Sequence, residues 1–326
     1  MYPQTRMRRL RRKNLLPIFT ETHLTPEQFC LPLFFDENAE AETPIASMPG
    51  QIRYPLSRAA SLAKELFEEG IRSVLLFGIP KVKDEAASSA FAPDGVIQKA
   101  VCAMKQAAPE LIVITDLCAC EYTSHGHCGI IKETCSGPDL DNDASLRLMQ
   151  KIAVSQARAG ADMVAPSCML DGMVLAIRDA LDSAGFSQIP IMSYSTKFAS
   201  CLYGPFRDAA DSGFSFVDRS SYQMNPANGR EALRESRLDA EEGADILMVK
   251  PATFYLDVLA SVKTLGLPVA AYHVSGEYAM IKAAAAAGYL DEKRTVMEAM
   301  ISLKRAGADV IITYYARDIL RWLKNE

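Results

Sequence analysis

The sequence repeats one junction three times, as Gly160-Ala161-Asp162-Met163, Gly243-Ala244-Asp245-Ile246 and Gly307-Ala308-Asp309-Val310. In each copy the glycine follows a stretch with helical spacing, and a short apolar run begins two residues later. Glycine is the residue that most readily ends a helix in the left-handed conformation. The junction therefore predicts that a helix ends and a strand begins at each copy. Glu69-Gly70-Ile71 is a looser version of it.

Eight short apolar runs extend this pattern along the chain. Such runs are typical of strands buried on both faces, and they cover residues 31–35, 73–77, 111–116, 162–166, 189–194, 245–250, 268–274 and 309–314. Stretches with helical spacing, such as 57–70 and 229–243, lie between strands. We therefore predict an α/β protein, a (β/α)8 TIM barrel. An open doubly wound sheet is the alternative, although no G-x-G-x-x-G follows the first strand.

The 326 residues have the composition of an ordinary globular protein, with 49% hydrophobic and 23% charged residues. This composition excludes a fibrous, collagen-like or largely disordered chain. No run approaches the roughly 18 apolar residues of a membrane span. No apolar leader follows Met1, so we expect a cytoplasmic protein whose cysteines are reduced.

Basic residues are concentrated at the start of the chain. Residues 1–13 contain six of them and no acidic residue, and 29 basic against 40 acidic residues remain, a net charge of −11 for the rest. Such an acidic body argues against nucleic-acid binding. We interpret residues 1–28 as an extended oligomerisation arm that wraps a neighbouring subunit, and residues 29–326 as the catalytic barrel. A disordered tail and a transit peptide are the alternatives for the arm.

Polar residues fall at the carboxyl ends of the predicted strands, where barrels of this kind place their chemistry. They are Asp116 at the end of strand three, Ser167 after strand four, Ser195-Thr196-Lys197 after strand five, Lys250 at the end of strand six, Ser275 after strand seven and Tyr314 at the end of strand eight. We expect these side chains to converge on one mouth of the barrel.

Three thiols follow the third strand. Cys118, Cys120 and Cys128 have the spacing C-x-C-x7-C, and thiolates so close together suit Zn2+. Three protein ligands leave a fourth position for water or substrate, which is the pattern of a catalytic zinc site. A fourth ligand would close a structural site, and the candidates are His125, His127 and Cys135. Buried thiols without a metal are the remaining alternative.

Two lysines lie where strands should end inside the barrel. Lys250 ends the apolar run 246–250, so it must be partly buried, and Lys197 follows strand five. Burial and a neighbouring cation lower the pKa of an amine, so we expect the two lysines to depress each other. A neutral amine attacks a carbonyl and forms a Schiff base. A salt bridge or a side chain that reaches solvent is the alternative for either lysine alone.

A long segment, residues 198–228, separates strands five and six. Its glycine and aromatic residues are typical of a lid over a barrel mouth. Arg207 and Arg219 in this segment suit bidentate binding of a carboxylate, with solvated surface charge as the alternative for each.

Taken in order, these motifs resemble those of the porphobilinogen synthases, also called 5-aminolevulinate dehydratases. The similarity extends from the basic arm to the last strand. Its most specific parts are residues 116–122, 126–129, 192–200, 203–207, 221–226, 248–252 and 274–280.

The resemblance implies a lyase that condenses two 5-aminolevulinate molecules to porphobilinogen and two waters, in tetrapyrrole (haem) biosynthesis. By this resemblance Lys250 forms the Schiff base with the first-bound substrate, and Lys197 engages the second. Asp116 positions a substrate amine or a metal-bound water. The resemblance also implies three catalytic zinc ligands, Cys118, Cys120 and Cys128.

Further residues are implied in the same way. Arg207, Arg219 and Gln223 match groups that bind the carboxylate of the second substrate, and Ser275 and Tyr314 match those that bind the first.

Two features concern assembly and regulation. Glu235 matches the glutamate of an allosteric Mg2+ site found in some branches, with an ordinary surface glutamate as the alternative. The basic arm is similar to the arm by which family members form homo-octamers. Residues 132–142 have no secure counterpart, and Cys135 there either adds a zinc ligand or pairs with a nearby thiol.

Two other functions are compatible with parts of this pattern. A Schiff-base aldolase is also a barrel with a lysine on strand six, but it needs neither zinc nor Lys197. A zinc-stabilised interaction protein would leave both strand-end lysines unexplained. A catalytically dead homologue would be expected to have lost one of these lysines.

Overall fold

The computed structural model describes residues 4–135, 137–213 and 219–324. Eight parallel strands within these ranges form the centre of the molecule. They are β1 (Phe29–Asp36), β2 (Ser73–Ile79), β3 (Ile112–Leu117), β4 (Met163–Pro166), β5 (Met192–Lys197), β6 (Ile246–Lys250), β7 (Val269–His273) and β8 (Val310–Thr313). The predicted apolar runs are thus confirmed, most of them to within two residues at each end.

Helices connect the strands and surround them. They are α1 (Ala59–Glu69), α2 (Val96–Ala107), α3 (Asn142–Arg158), α4 (Met173–Ser183), α5 (Gly204–Ala209), α6 (Gly229–Glu241), α7 (Leu256–Lys263), α8 (Ser275–Ala286), α9 (Glu292–Ala306) and α10 (Ala316–Lys324). Each helix of three turns or more between α1 and α4 buries one apolar stripe against the sheet, as Leu62 and Leu66 of α1 do.

Strand pairing closes the sheet into a barrel. Hydrogen bonds link the strands in the order β4-β3-β2-β1-β8-β7-β6-β5, and a parallel bridge between Val164 and Ile191 joins the two ends. All seven residues of β2 are buried, because side chains fill the barrel on one face and helices cover the other. The predicted (β/α)8 barrel is confirmed, and the open sheet is excluded.

The repeated Gly-Ala-Asp junction ties the strands together at the amino-terminal end of the barrel. Gly160 ends its helix with a positive φ of 98°. The aspartate two residues later accepts a hydrogen bond from the backbone of the preceding strand: Asp162 from Val113, at 2.8 Å. Asp309 does the same for Val269, also at 2.8 Å. The junction therefore both ends a helix and fixes the register of two neighbouring strands.

Strand β5 lies further along the chain than the apolar run 189–194 predicts. Its polar residues Ser195 and Thr196 both contact the Ser236 hydroxyl of α6, at 3.2 and 2.7 Å, so they are satisfied within the barrel wall. The pairing with β6 is irregular here: Leu247 pairs with Ser193 and Val249 with Thr196, so three residue steps along β5 match two along β6. This bulge turns two successive hydroxyls outward and leaves Lys197 facing the mouth. The prediction that residues 195–197 follow the strand is therefore wrong.

The first described residues, 4–28, lie before the barrel and contain three short 3-10 helices, Met7–Arg11, Leu16–Phe19 and Pro26–Gln28. Most of their side chains are exposed; Ile18, for example, has 73% of its surface exposed. The strands Ile131–Thr134 and Gly137–Leu140 pair as a small antiparallel hairpin, which the sequence did not predict. Among the described residues, no helix has the length and apolar character needed to cross a membrane.

Candidate active site

The two lysines lie side by side at the mouth of the barrel. Lys197 and Lys250 are register partners on β5 and β6, and each is about 5% exposed. Lys250 Nζ is surrounded by aromatic rings, with 4.2 Å to the centroid of Tyr272 and 4.8 Å to that of Tyr194. Lys197 Nζ donates a 2.6 Å hydrogen bond to the carbonyl of Ser167. Both amines are thus held inside the protein.

Their electrostatic environments differ. Burial, with repulsion from Lys197, lowers the pKa of Lys250 to about 7. Burial also acts to lower the pKa of Lys197, but attraction to the negative charge of the cysteine cluster, that of Cys128 first, outweighs it and holds this pKa above its ordinary value. The expectation of mutual depression is therefore confirmed for Lys250 and wrong for Lys197. Only Lys250 is in part a neutral amine at neutral pH.

Asp116 at the end of β3 faces the same space. Its Oδ2 accepts a hydrogen bond from the Ser167 hydroxyl at 3.1 Å, and its Oδ1 is buried with no hydrogen-bond partner among the described residues. Burial raises its pKa. Glu121, which the sequence analysis did not single out, is also buried, and desolvation together with the charge of Asp116 raises its pKa to about 7. Glu121 is therefore suited to accept or donate a proton near neutral pH, and Asp116 keeps its proton to a higher pH than an ordinary aspartate does.

The three thiols of the C-x-C-x7-C stretch come together. The sulfur atoms of Cys118, Cys120 and Cys128 all lie within 4.8 Å of one another and are buried. The Sγ atoms of Cys118 and Cys120 are 3.2 Å apart. Hydrogen bonds from these two thiols hold the pKa of Cys128 well below its ordinary value. Three buried sulfur ligands at this separation could hold a soft or borderline metal ion.

None of the three candidate closing ligands, His125, His127 and Cys135, belongs to a metal-ligand group found among the described residues. Cys135 is exposed, next to the hairpin strand Ile131–Thr134. His127 is buried, and its Nδ1 lies 3.2 Å from the hydroxyl of Tyr222. A thiol that the sequence analysis missed does lie at the cluster: Cys168 Sγ is 3.6 Å from Cys118 Sγ. Its position immediately after Ser167, at the carboxyl end of β4, was the available signal.

The segment after β5 carries the expected carboxylate-binding groups. Arg219 is buried, and its Nη2 donates to the carbonyls of Gly126 and Ser212 at 2.8 and 3.0 Å. Gln223 is also buried, and its Nε2 has no hydrogen-bond partner among the residues that the structure describes. Arg207 is half-buried on α5. The part of the predicted lid at residues 214–218 lies outside the described residues.

On the opposite side of Lys250 lie Ser275 and Tyr314. The Ser275 hydroxyl accepts a hydrogen bond from the backbone of Phe206 at 2.9 Å and donates to the carbonyl of Leu202 at 3.3 Å. The hydroxyl of Tyr314 lies 3.4 Å from that of Tyr272. These two residues are buried, and Ser275 contacts the beginning of the lid directly.

The described part of the predicted lid is also held by contacts from outside the mouth. Arg53 Nε donates to the carbonyl of Ala209 at 2.8 Å, and Lys83 Nζ contacts a carboxylate oxygen of Asp211 at 2.6 Å. The Lys83–Asp211 pair lies at the surface, since 67% of the Asp211 side chain is exposed. These contacts hold α5 and the turn that follows it over the mouth.

Glu235 lies on α6. It is half-buried at a cavity of about 370 Å3 whose lining includes three further carboxylates, those of Asp139, Asp171 and Glu231. Burial and the charge of Asp171 raise the pKa of Glu235. Carboxylate oxygens are the ligands that Mg2+ prefers, so the chemistry of this cavity fits such an ion.

The fold and the mouth together define the general class: a (β/α)8-barrel enzyme, with its polar groups at the carboxyl ends of the strands. Comparison with known proteins makes this specific. The sequence model of the family described as delta-aminolevulinic acid dehydratase matches residues 4–322. The chain belongs to this family, the lyases also called porphobilinogen synthases.

Individual relatives agree over nearly the whole chain. Delta-aminolevulinic acid dehydratase of Archaeoglobus fulgidus is 53% identical over 324 residues, which cover 99% of each chain. That of Synechococcus elongatus is 53% identical over 325 residues, covering 99% of this chain and all of the relative. The crystal structure of the Toxoplasma gondii enzyme, in complex with the reaction product porphobilinogen, superimposes with a TM-score of 0.96 at 44% identity. It covers 99% of this chain and 93% of that one.

Proposed function

We propose that this enzyme condenses two molecules of 5-aminolevulinate to porphobilinogen in tetrapyrrole (haem) biosynthesis. One C–C and one C–N bond form, and the two ketone oxygens leave as two waters. The observation that carries the proposal is the pair of buried lysines in register, beside three clustered thiols and Asp116. A single strand-end lysine would suit an aldolase, but this arrangement provides for two carbonyl substrates.

Lys250 is the residue proposed to activate the first substrate. Its neutral amine attacks the ketone carbon, and an amine proton passes to the carbonyl oxygen. A second proton, donated by a protonated carboxyl group of the mouth, lets this oxygen leave as water and leaves an iminium ion. The pKa of about 7 leaves roughly half of the amine neutral at neutral pH. The iminium withdraws electrons and so eases loss of a proton from the neighbouring carbon.

Lys197 and the lid are proposed to hold the second substrate. Arg219 and Gln223, with Arg207, bind its carboxylate, and the unpartnered Gln223 amide is available for this. Ser275 and Tyr314 bind the carboxylate of the first substrate on the other side. Two separate carboxylate sites hold two identical molecules in different, fixed orientations. Because both substrates are already positioned, much of the entropic barrier to joining them is removed.

The thiol cluster is proposed as the site of a catalytic zinc ion. Cys118, Cys120 and Cys128 would hold the ion, and their buried, closely spaced sulfur atoms fit it. When bound, zinc acts as a Lewis acid that polarises a carbonyl group. A carboxylate oxygen of Asp116 lies within 4.8 Å of Cys118 Sγ, and the unpartnered Oδ1 can accept a hydrogen bond from the amine of a substrate.

Assembly, regulation and location are proposed from the family resemblance. Residues 1–28 would form the arm of a homo-octamer, and the exposed apolar side chains of Ile18 and Phe19 support a contact with another subunit. The acidic cavity at Glu235 would bind an allosteric Mg2+. A cytoplasmic location and the absence of nucleic-acid partners stay predictions from sequence.

The test is pyrrole formation from 5-aminolevulinate. Metal-loaded enzyme should form porphobilinogen, a zinc chelator should abolish this, and added zinc should restore it. Lys250→Met should lose the activity, whereas Lys64→Met, which changes an exposed lysine on α1, should keep it. No pyrrole from reduced, zinc-loaded wild type would refute the proposed reaction, and chelator-resistant activity would refute the role of zinc.

A further inference from the structure

We propose that Ser236 of α6 is a positioning residue for Lys197: its hydroxyl secures the bulge in β5 that points the amine of Lys197 into the mouth of the barrel. This inference rests on the proposed role of Lys197 in holding the second substrate. Ser236 is fully buried, and its hydroxyl contacts β5 from the helix that packs behind it. It therefore acts on the reaction through the barrel wall.

The order of side chains along β5 shows what the bulge does. Successive residues of a regular strand face opposite sides of the sheet. Tyr194 faces the mouth, since its ring centroid lies 4.8 Å from Lys250 Nζ, and Ser195 faces α6. A regular strand would then point Thr196 to the mouth and Lys197 to α6. Instead Thr196 also faces α6, and Lys197 Nζ lies 5.5 Å from the centroid of Tyr194. The extra residue thus decides which face Lys197 occupies.

The hydroxyl of Ser195 takes part in strand pairing at the bulge. Tyr194 and Ser195 together lie opposite Met248, where the register shifts. The backbone nitrogen of Met248 donates to Ser195 Oγ at 3.3 Å, and Ser195 Oγ donates to the carbonyl of Met248 at 3.5 Å. Pairing then resumes with Lys197 opposite Lys250. A side chain thus supports the ladder at the point where the bulge disrupts it.

Ser236 holds the two outward hydroxyls together. Its Oγ lies 2.7 Å from Thr196 Oγ1 and 3.2 Å from Ser195 Oγ. Thr196 also donates to the carbonyl of Ala232, one turn earlier on α6, at 3.3 Å. All three hydroxyl residues are at most 1% exposed, so solvent does not reach them. Buried hydroxyls need a partner, and loss of the Ser236 hydroxyl therefore makes the bulged strand less favourable.

A less stable bulge affects Lys197 first. Its Nζ is held by a 2.6 Å hydrogen bond to the carbonyl of Ser167, so its position is defined by the bulge at one end and by this bond at the other. A displacement of about 1 Å at a reacting group can cost about 100-fold in rate. The position of Lys197 also sets the repulsion that acts on Lys250. Both effects are measurable.

Steady-state kinetics test the first effect. Ser236→Ala should lower kcat for pyrrole formation by about tenfold or more. Thr196→Val, which keeps the shape of the side chain but removes its hydroxyl, should also lower kcat, and Thr196→Ser should restore it to within about twofold of wild type. Ser73→Ala is the matched control, because it removes a buried serine hydroxyl at the other end of the barrel, where Ser73 contacts the carbonyl of Phe29 at 3.4 Å. Equal loss of activity in Thr196→Val and Thr196→Ser would overturn the role of the hydroxyls.

Trace acetylation of Lys250 tests whether Ser236 acts through Lys197. The pH at which labelling reaches half of its maximum should rise in Ser236→Ala, because a displaced Lys197 repels Lys250 less. In Lys197→Met, the added Ser236→Ala change should produce no further rise. An unchanged midpoint in Ser236→Ala would overturn the inference. So would an equal shift with and without Lys197, since Ser236 would then act independently of it.

The labelling experiment also separates this inference from the proposed function, because it needs no substrate. Pyrrole formation at the wild-type rate by Ser236→Ala would exclude the positioning role and leave the reaction intact. A midpoint shift that depends on Lys197, in an enzyme that forms no pyrrole, would support the positioning role and refute the proposed reaction.

Discussion

The unusual pKa of Lys250 gives the most informative test of this site. An ordinary lysine with a pKa of 10.5 is neutral in only about 0.03% of molecules at pH 7. A pKa of about 7 makes roughly half of the molecules neutral, which is more than a thousandfold gain in reactive amine. Repulsion from Lys197 contributes to this shift, so Lys197→Met should raise the pKa of Lys250.

Trace labelling with acetic anhydride measures the neutral fraction, because only the unprotonated amine reacts. Metal-loaded enzyme is labelled between pH 5 and 11, with free Nα-acetyl-lysine amide as an internal standard, and the peptide containing Lys250 is quantified by mass spectrometry. Labelling of Lys250 should reach half of its maximum near pH 7. In Lys197→Met the midpoint should move to higher pH, whereas Lys64→Met should leave it unchanged.

Two results would refute this account. A wild-type midpoint close to that of the free lysine standard would mean that burial does not lower the pKa of Lys250. A midpoint that falls in Lys197→Met would mean that the neighbouring cation does not contribute to the shift.

Three further predictions concern stability, proton transfer and the lid. The unfolded chain keeps Lys250 charged up to about pH 10.5, so burying this charge costs the folded protein up to about 5 kcal/mol below pH 7, and the cost disappears as pH rises to 10.5. In urea unfolding, Lys250→Met should therefore be more stable than wild type by a larger margin at pH 6 than at pH 10. A difference in stability that does not depend on pH would contradict this. Asp116→Asn should lower kcat for pyrrole formation by about 100-fold or more, since it removes a buried carboxylate from the mouth, and a loss below about threefold would exclude that role. Lys83→Ala removes an ion pair that is worth at most about 1 kcal/mol because Asp211 is exposed. KM should therefore rise by about two- to fivefold with kcat unchanged, and Lys81→Ala is the control. An unaltered KM would show that the contact does not hold the lid.

Most of the barrel was predictable from sequence because its signals are local. The three glycine junctions and the apolar runs each depend on a few neighbouring residues, and Gly160 has the left-handed conformation that the junction predicts. Strand β5 was misplaced because Ser195 and Thr196 look like loop residues. Their hydroxyls are satisfied by Ser236, which lies 40 residues away on α6. Sequence patterns do not reveal such a distant partner.

The candidate site was predictable where one stretch of sequence contains the whole cluster. The three clustered thiols are within eleven residues, and the structure brings them together. Cys168 and Glu121 were missed for opposite reasons. Cys168 reaches the cluster only through the pairing of β3 with β4. Glu121 lies inside the cysteine stretch, but its burial beside Asp116 depends on the folded loop.

The register pairing of Lys197 with Lys250 has a consequence for engineering and divergence of this enzyme. Neighbouring strands in a sheet are held about 4.8 Å apart by their backbone hydrogen bonds. The separation of the two amines at their base is therefore set by the main chain, and repacking of side chains around the mouth cannot change it. Substitutions there can retune how readily each amine gains or loses its proton. New substrates that need a different spacing between two reacting carbonyl groups would require a change of strand register, which is a far larger step than any point mutation.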